Sequence, residues 1–177
     1  DGQITLGSFT LPSQGSGEIF VAKFAADGSV LWANHAGDGQ SQSVHSISAF
    51  ADGSTAIAGM FTGQITFGSV TLSSSVRSAF IAAFDADGSP TWAVKGETVN
   101  DSGATATASL GDGSLSVAGF FWGDTTLGNT TLTSDAGSGD AFIAKLASSS
   151  STPTAPLAPW NVTATVENDS VAGRTLV

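Results

Sequence analysis

Apolar and polar positions alternate along most of the chain, and the alternation repeats. The segment from Ile19 to Asn34, IFVAKFAADGSVLWAN, returns as AFIAAFDADGSPTWAV from Ala79 to Val94 and begins a third time as AFIAKLA from Ala141. Trp32 and Trp92 stand 60 positions apart, as do Asp27 and Asp87, while Phe80 and Phe142 stand 62 apart. A period of this length marks a repeat architecture. Each copy consists of two alternating runs joined at Asp-Gly, a pattern that predicts a β-hairpin on a type I′ turn, whose central residues both need φ > 0.

Two further segments recur in phase with the first. GQITLGSFTL from Gly2 to Leu11 returns as GQITFGSVTL from Gly63 to Leu72 and as GDTTLGNTTL from Gly123 to Leu132. It predicts a connection with a small β excursion, kinked at Gly7, Gly68 and Gly128, where a residue without Cβ turns most easily. SVHSISAFADGSTAIAGMFT, from Ser43 to Thr62, returns as GATATASLGDGSLSVAGFFW from Gly103 to Trp122, a second hairpin turning at Asp52-Gly53 and Asp112-Gly113. One period therefore holds four strands, near 43–50, 55–61, 79–85 and 90–95. Four antiparallel strands per repeat of this length predict an all-β protein of propeller-type blades. Pro90 opens the fourth strand, where no ladder hydrogen bond is lost. Phe20, Phe24, Trp32, Phe61, Phe80, Phe84, Trp92, Phe121 and Phe142 are the expected blade core. Each such side chain, once buried, contributes roughly 2–3 kcal/mol.

The repeats divide the chain into three parts. Residues 1–146 hold the propeller-like repeats, as a half blade over 1–36, a full blade over 43–95 and a partial blade over 103–146. Residues 147–159, rich in Ser and Pro, have the composition of a linker. Residues 160–177 form a C-terminal tail in which WNVTATV and GRTLV alternate like strands. Two and a half blades cannot close a ring, so unpaired edges are expected at both ends. Trp160, Val162, Ala164, Val166, Leu176 and Val177 are then candidates for a joining strand, in the same chain or in a neighbour.

Composition narrows the partners. The formal charge is −10, from 5 Lys plus Arg against 15 Asp plus Glu, which removes the attraction that dominates nucleic-acid binding and disfavours an anionic membrane. With no cysteine, the 177 residues offer neither a disulfide framework nor a thiolate zinc site nor a cysteine nucleophile. Hydrophobic content of 41% with only 11% charged residues suits a β-rich extracellular protein, and no apolar run is long enough to span a bilayer. The start at Asp1, without a methionine or a signal-like segment, is expected of a processed, exported protein or a piece of a larger one.

Several residues invite a chemical role. Asp85-Ala86-Asp87-Gly88 presents alternating carboxylates as a calcium loop does, but Ala25-Ala26-Asp27-Gly28 and Phe50-Ala51-Asp52-Gly53 lack the first carboxylate and no bidentate glutamate follows. Hairpin turns are the better reading, and no cofactor is expected. His35 and His45 are the only histidines, and the repeats put Lys95 and Thr105 at their positions. There is no G-x-S-x-G elbow, so no catalytic residue is assigned and the chain is read as a non-enzyme. Asn100, Asn129, Asn161 and Asn168 open N-glycosylation patterns, which chance explains in a chain rich in Ser and Thr. Trp122, where the repeat has Thr62, and Trp160 are the unrepeated tryptophans, and Trp122 is the candidate for stacking on a glycan.

The pattern G-x-I-T-F-G-x-x-T-L, then AFIAAFDADGSPTWA, with hairpins ending in AGMF or AGFF, resembles the bacterial β-propeller repeat family often called SBBP repeats. The resemblance covers Gly2 to about Ala147 and rests on Phe20, Ala22, Phe24, Asp27, Gly28 and Trp32 with their counterparts. It implies a secreted or cell-surface protein and brings no shared activity or catalytic residue. The expected function is therefore structural: self-assembly into a homo-oligomer or homopolymer, ring or filament. The alternatives are a carbohydrate-binding propeller module and a fragment of a larger surface adhesin whose other blades close the ring.

Overall fold

A computed structural model describes residues 3–12, 17–135 and 138–147, together with the backbone of 162–163. The described chain is all β and every strand pairing is antiparallel. In chain order the strands are β1 (Gln3–Leu6), β2 (Phe9–Pro12), β3 (Ile19–Phe24), β4 (Val30–Ala36), β5 (Gln42–Ala49), β6 (Thr55–Phe67), β7 (Val70–Phe84) and β8 (Pro90–Lys95). There follow β9 (Glu97–Thr98), β10 (Asp101–Ser109), β11 (Leu115–Trp122), β12 (Asp124–Leu127), β13 (Thr130–Thr133), β14 (Gly139–Leu146) and β15 (Val162–Thr163).

Three sheets follow the repeat. The central one runs β5-β6-β7-β8, the last runs β10-β11-β14-β15, and the first contains only β3 and β4. The sheets close into neither a barrel nor a ring among the described residues. The connecting segments form their own hairpins, β1-β2 and β13-β12-β9, but in the middle repeat the hairpin is no excursion. There β6 and β7 run on past the sheet, with a register shift between Phe61 and Gly63, and turn between Phe67 and Val70. All three segments turn through two residues, with Gly7, Gly68 and Gly128 at φ near +58°. A glycine there, at the first central position, is what a type II′ hairpin requires.

The Asp-Gly hairpins differ from the expected geometry. No residue other than glycine has positive φ among the described residues, so the turns cannot be type I′. Instead the Gly28 N–H donates to the Ala25 carbonyl at 2.9 Å and the Ala25 N–H to the Ser29 carbonyl at 2.8 Å. The same two bonds recur for Phe50 to Ser54, Asp85 to Ser89 and Leu110 to Ser114. This is the three-residue loop in which a tight turn is followed by one left-handed residue. Aspartate serves by its side chain: Asp27 Oδ1 accepts from both the backbone N–H and the hydroxyl of Ser29, as Asp52 does from Ser54 and Asp112 from Ser114.

The core lies between sheets, in two layers. Ile19, Val21 and Trp32 of the first sheet pack on Ile57, Phe61, Phe80, Ala82 and Phe84 of the central sheet. Ala56, Ala58, Ala79, Ile81 and Ala83, on the central sheet's other face, pack on Leu115, Val117, Phe121, Phe142, Ala144 and Leu146 of the last sheet. Period-two alternation thus sends each strand's side chains to two different neighbours. β5 and β10 also meet, where the Thr107 hydroxyl lies 3.0 Å from Ser46 Oγ and 2.8 Å from Ser48 Oγ.

Candidate functional site

The repeat makes the third strand of each hairpin pair easy to compare. FVAKF in β3, FIAAF in β7 and FIAKL in β14 occupy the same place in their sheets. In β7 both faces are covered, one by the first sheet and one by the last. Among the described residues, a neighbouring blade sheet covers only one face of β3 and of β14, and the opposite faces lie at the two ends of the described stack.

At the first end, Phe20 and Phe24 are 51% and 54% exposed, whereas their counterparts Phe80 and Phe84 are 0% and 2% exposed. The expectation that Phe20 and Phe24 belong to the core is corrected here. The β1-β2 hairpin meets β4, with Gly7 against Val30, but no preceding blade sheet lies on that side of β3 among the described residues. Leu31, at the register shift of β4 opposite Lys23 and Phe24, is exposed as well. At the far end the alternation is reversed: Phe142, Ala144 and Leu146 are buried while Ile143 is 61% exposed. Its counterparts Val21 and Ile81 are buried. Trp32, Phe61, Phe80, Phe84, Phe121 and Phe142 are buried, and Trp92 is half-buried against the second layer.

The covered contact between the first two sheets shows what such faces do when partnered. Trp32 stacks on Phe84 with ring centroids 6.1 Å apart, and its indole N–H donates to the Ala86 carbonyl at 3.1 Å. Asn34 Nδ2 donates to the Gly88 carbonyl at 2.6 Å. Lys23 Nζ donates to the carbonyls of Gly53 and Ala86 at 3.1 and 3.2 Å. Both strands of the first sheet, β4 through Trp32 and Asn34 and β3 through Lys23, therefore grip the turns of the next sheet. Gly88 lies under the indole, where an added Cβ would come within 2.5 Å of it, while the same position at Gly28 has nothing within 4 Å. The turn at Gly28 is the ungripped copy of the turn at Gly88.

The other candidates are placed as follows. His35 lines a cavity of about 130 Å³ between the first and central sheets, with Ile19, Val21, Asn34, Phe67 and Pro90. The corresponding space between the central and last sheets, lined by Val94 and Lys95 among others, holds about 10 Å³. His45 sits at a register shift in β5, exposed, with Nε2 3.1 Å from Ser43 Oγ. Asp85 Oδ1, the first carboxylate of the calcium-like pattern, accepts backbone N–H bonds from Asp87 and Ser89. No group of three or more metal-ligating side chains occurs among the described residues. Asn100 and Asn129 are exposed, while Asn161 and Asn168 lie outside the described residues. Trp122 is 44% exposed at the end of β11, its indole against Gly139.

Of the tail residues, Val162 is described in its backbone, and Trp160, Ala164, Val166, Leu176 and Val177 lie outside the described residues. Val162 and Thr163 pair with Leu146 and Lys145, on the edge of β14 that corresponds to the place of β8 beside β7. The ammonium of Lys145 reaches Asp112 Oδ2 at 2.8 Å and, with the Ser114 hydroxyl, holds that carboxyl well below the usual range. The Asp101 carboxylate binds Arg77 and pushes its pKa up.

Sequence reasoning missed the two end faces, because it treated Phe20, Phe80 and Phe142 as equals. The signal available was the copy number: only a middle copy has neighbours on both sides. No family model matches the chain, and no curated protein matches it in sequence.

Proposed function

We propose that this is a secreted, non-enzymatic structural protein of propeller-type blades that self-assembles through its open blade edges and C-terminal tail into a ring or filament. The observation that carries the reading is the edge of β3. Its counterpart β7 is hydrogen-bonded by β6 on one side and β8 on the other, but β3 is bonded by β4 alone among the described residues. An open edge presents unpaired N–H and C=O groups, a template for another strand. In this reading β3-β4 is the outer half of a blade, and the contact of Ser46 and Ser48 with Thr107 brings the innermost strands of two blades together.

The tail, through Trp160, Val162, Ala164, Val166, Leu176 and Val177, is the proposed joining strand. The pairing of Val162–Thr163 with β14 supports it as the fourth strand of the last blade, in its own chain or exchanged with a neighbour. The test is absolute mass by light scattering across concentration, for the 177-residue chain and for one ending at Leu146. Assembly of the first alone makes the tail the joint, and assembly of both makes the blade surfaces the joint. Two compact monomers would rule out self-assembly.

A second reading has one observation behind it. Trp122, 44% exposed and unrepeated, suits stacking on a sugar ring, the carbohydrate-binding alternative. Retention on immobilised glycans that is lost in Trp122→Ala is its test.

A further inference from the structure

We infer that the two end faces are the two halves of one interface, so that the Phe20/Phe24 face of one copy receives the Ile143 face of a second copy, head to tail. The inference rests on the self-assembly reading and adds to it which surfaces meet.

The argument comes from what the chain does with the same surfaces internally. In each sheet, one side of the third strand faces the preceding sheet and the other the following one. Phe80, Ala82 and Phe84 face backward, to the first sheet, and Phe142, Ala144 and Leu146 face backward, to the central sheet. Val21 and Ile81 face forward, and each is buried by the next sheet. Among the described residues, no neighbouring blade sheet covers the backward surface of Phe20, Ala22 and Phe24 or the forward surface of Ala141, Ile143 and Lys145. Backward and forward faces pack against one another twice inside the chain, and the free pair is a third instance of the same two patterns.

Polar chemistry agrees with the apolar match. Lys23, on the forward face of the first sheet, donates to the Ala86 carbonyl in the turn of the next. Lys145 holds the corresponding place on the last sheet, exposed and paired among the described residues with Asp112 of the hairpin beside it. In the second copy the turn it would meet is Ala25 to Gly28, the copy of the gripped turn that has open space above its glycine. A forward face on a backward face is a heterologous contact, which propagates or closes only as a ring, whereas two like faces would make a closed dimer. Scattered exposed apolar side chains need no explanation, but Phe20 and Phe24 lie on one face of one short strand.

The experiment uses two full-length variants, Phe20→Asp/Phe24→Asp and Ile143→Asp, with light scattering for mass and thermal melting for fold. Because the substituted side chains are exposed in the single chain, both variants should melt close to the wild type. The wild type should assemble, each variant alone should stay monomeric, and a 1:1 mixture should form a dimer that grows no further, since each variant keeps one intact face. If Ile143→Asp still dimerises while the phenylalanine variant does not, like faces meet and the inference fails. If both variants assemble like the wild type, the inference fails while self-assembly stands, through the tail or the β3 edge. A wild type that stays monomeric at every concentration overturns both.

Discussion

Two phenylalanines in the first sheet and two in the central sheet occupy the same sequence pattern and live in opposite environments. Phe20 and Phe24 are half exposed, while Phe80 and Phe84 are enclosed by Trp32, Phe61 and Phe67. The strands that carry them pair to their hairpin partners in the same way, Phe20 with His35 and Phe80 with Lys95. Exposure here is a property of the stack. A repeat protein buries each unit's apolar faces only against its neighbours, so its stability is a sum of units and contacts between them, and its terminal faces are its most available surfaces.

The largest effect that sharpens this comparison comes from truncating the same residue in both places. Phe80→Ala should cost about 3–5 kcal/mol, and Phe20→Ala in the monomer under about 0.5 kcal/mol, by denaturant unfolding at low protein concentration. Equal losses would mean that Phe20 is covered in solution. Next comes the gripped turn. Gly88→Ala and Gly28→Ala both place a side chain at positive φ, but the first also drives a Cβ into the Trp32 ring. Gly88→Ala should therefore be worse by about 1–3 kcal/mol, and the excess should vanish in a Trp32→Ala background. Trp32→Phe keeps most of the stacking and loses the bond to the Ala86 carbonyl, so a loss of about 1 kcal/mol is expected.

The smallest effect is in acid. Asp27 and Asp52 are held below the usual carboxylate range by the hydroxyl and backbone N–H of Ser29 and Ser54. Asp112 is held lower by Lys145 and Ser114. Their folded pKa values lie below the unfolded value of about 3.9, so the unfolded chain binds more protons in acid. The stability they contribute is complete above about pH 4 to 5 and is lost as pH falls through the folded values. The melting temperature should be level from pH 7 to about 5 and drop below 4. Asp52→Asn, which keeps an acceptor at the turn, should shallow that drop, and an unchanged slope would show that other carboxylates carry it.

The strand pattern was legible because period-two alternation and Asp-Gly punctuation are local. Strands expected at 43–50 and 90–95 were found as Gln42–Ala49 and Pro90–Lys95. The turn type is not fixed by Asp-Gly, which serves both a two-residue and a three-residue loop. The following serine, at 29, 54, 89 and 114, is the local clue to the latter. The extension of β6 and β7 through Gly63 to Ser74 looks like a connection in sequence, because a glycine within an alternating run resembles a break when it is a register shift. The end faces were not legible from any single copy. Val21, Ile81 and Ile143 look alike in sequence, and it is the order of sheets among the described residues that leaves the last one exposed.

The absence of cysteine from the chain gives the most direct test of the head-to-tail claim. A variant carrying both Phe20→Cys and Ile143→Cys, treated with a short bis-maleimide, should yield a ladder of covalent oligomers, while each single-cysteine variant should remain a monomer. Covalent dimers from a single-cysteine variant, or no ladder from the double variant at concentrations where the chain assembles, would contradict the account.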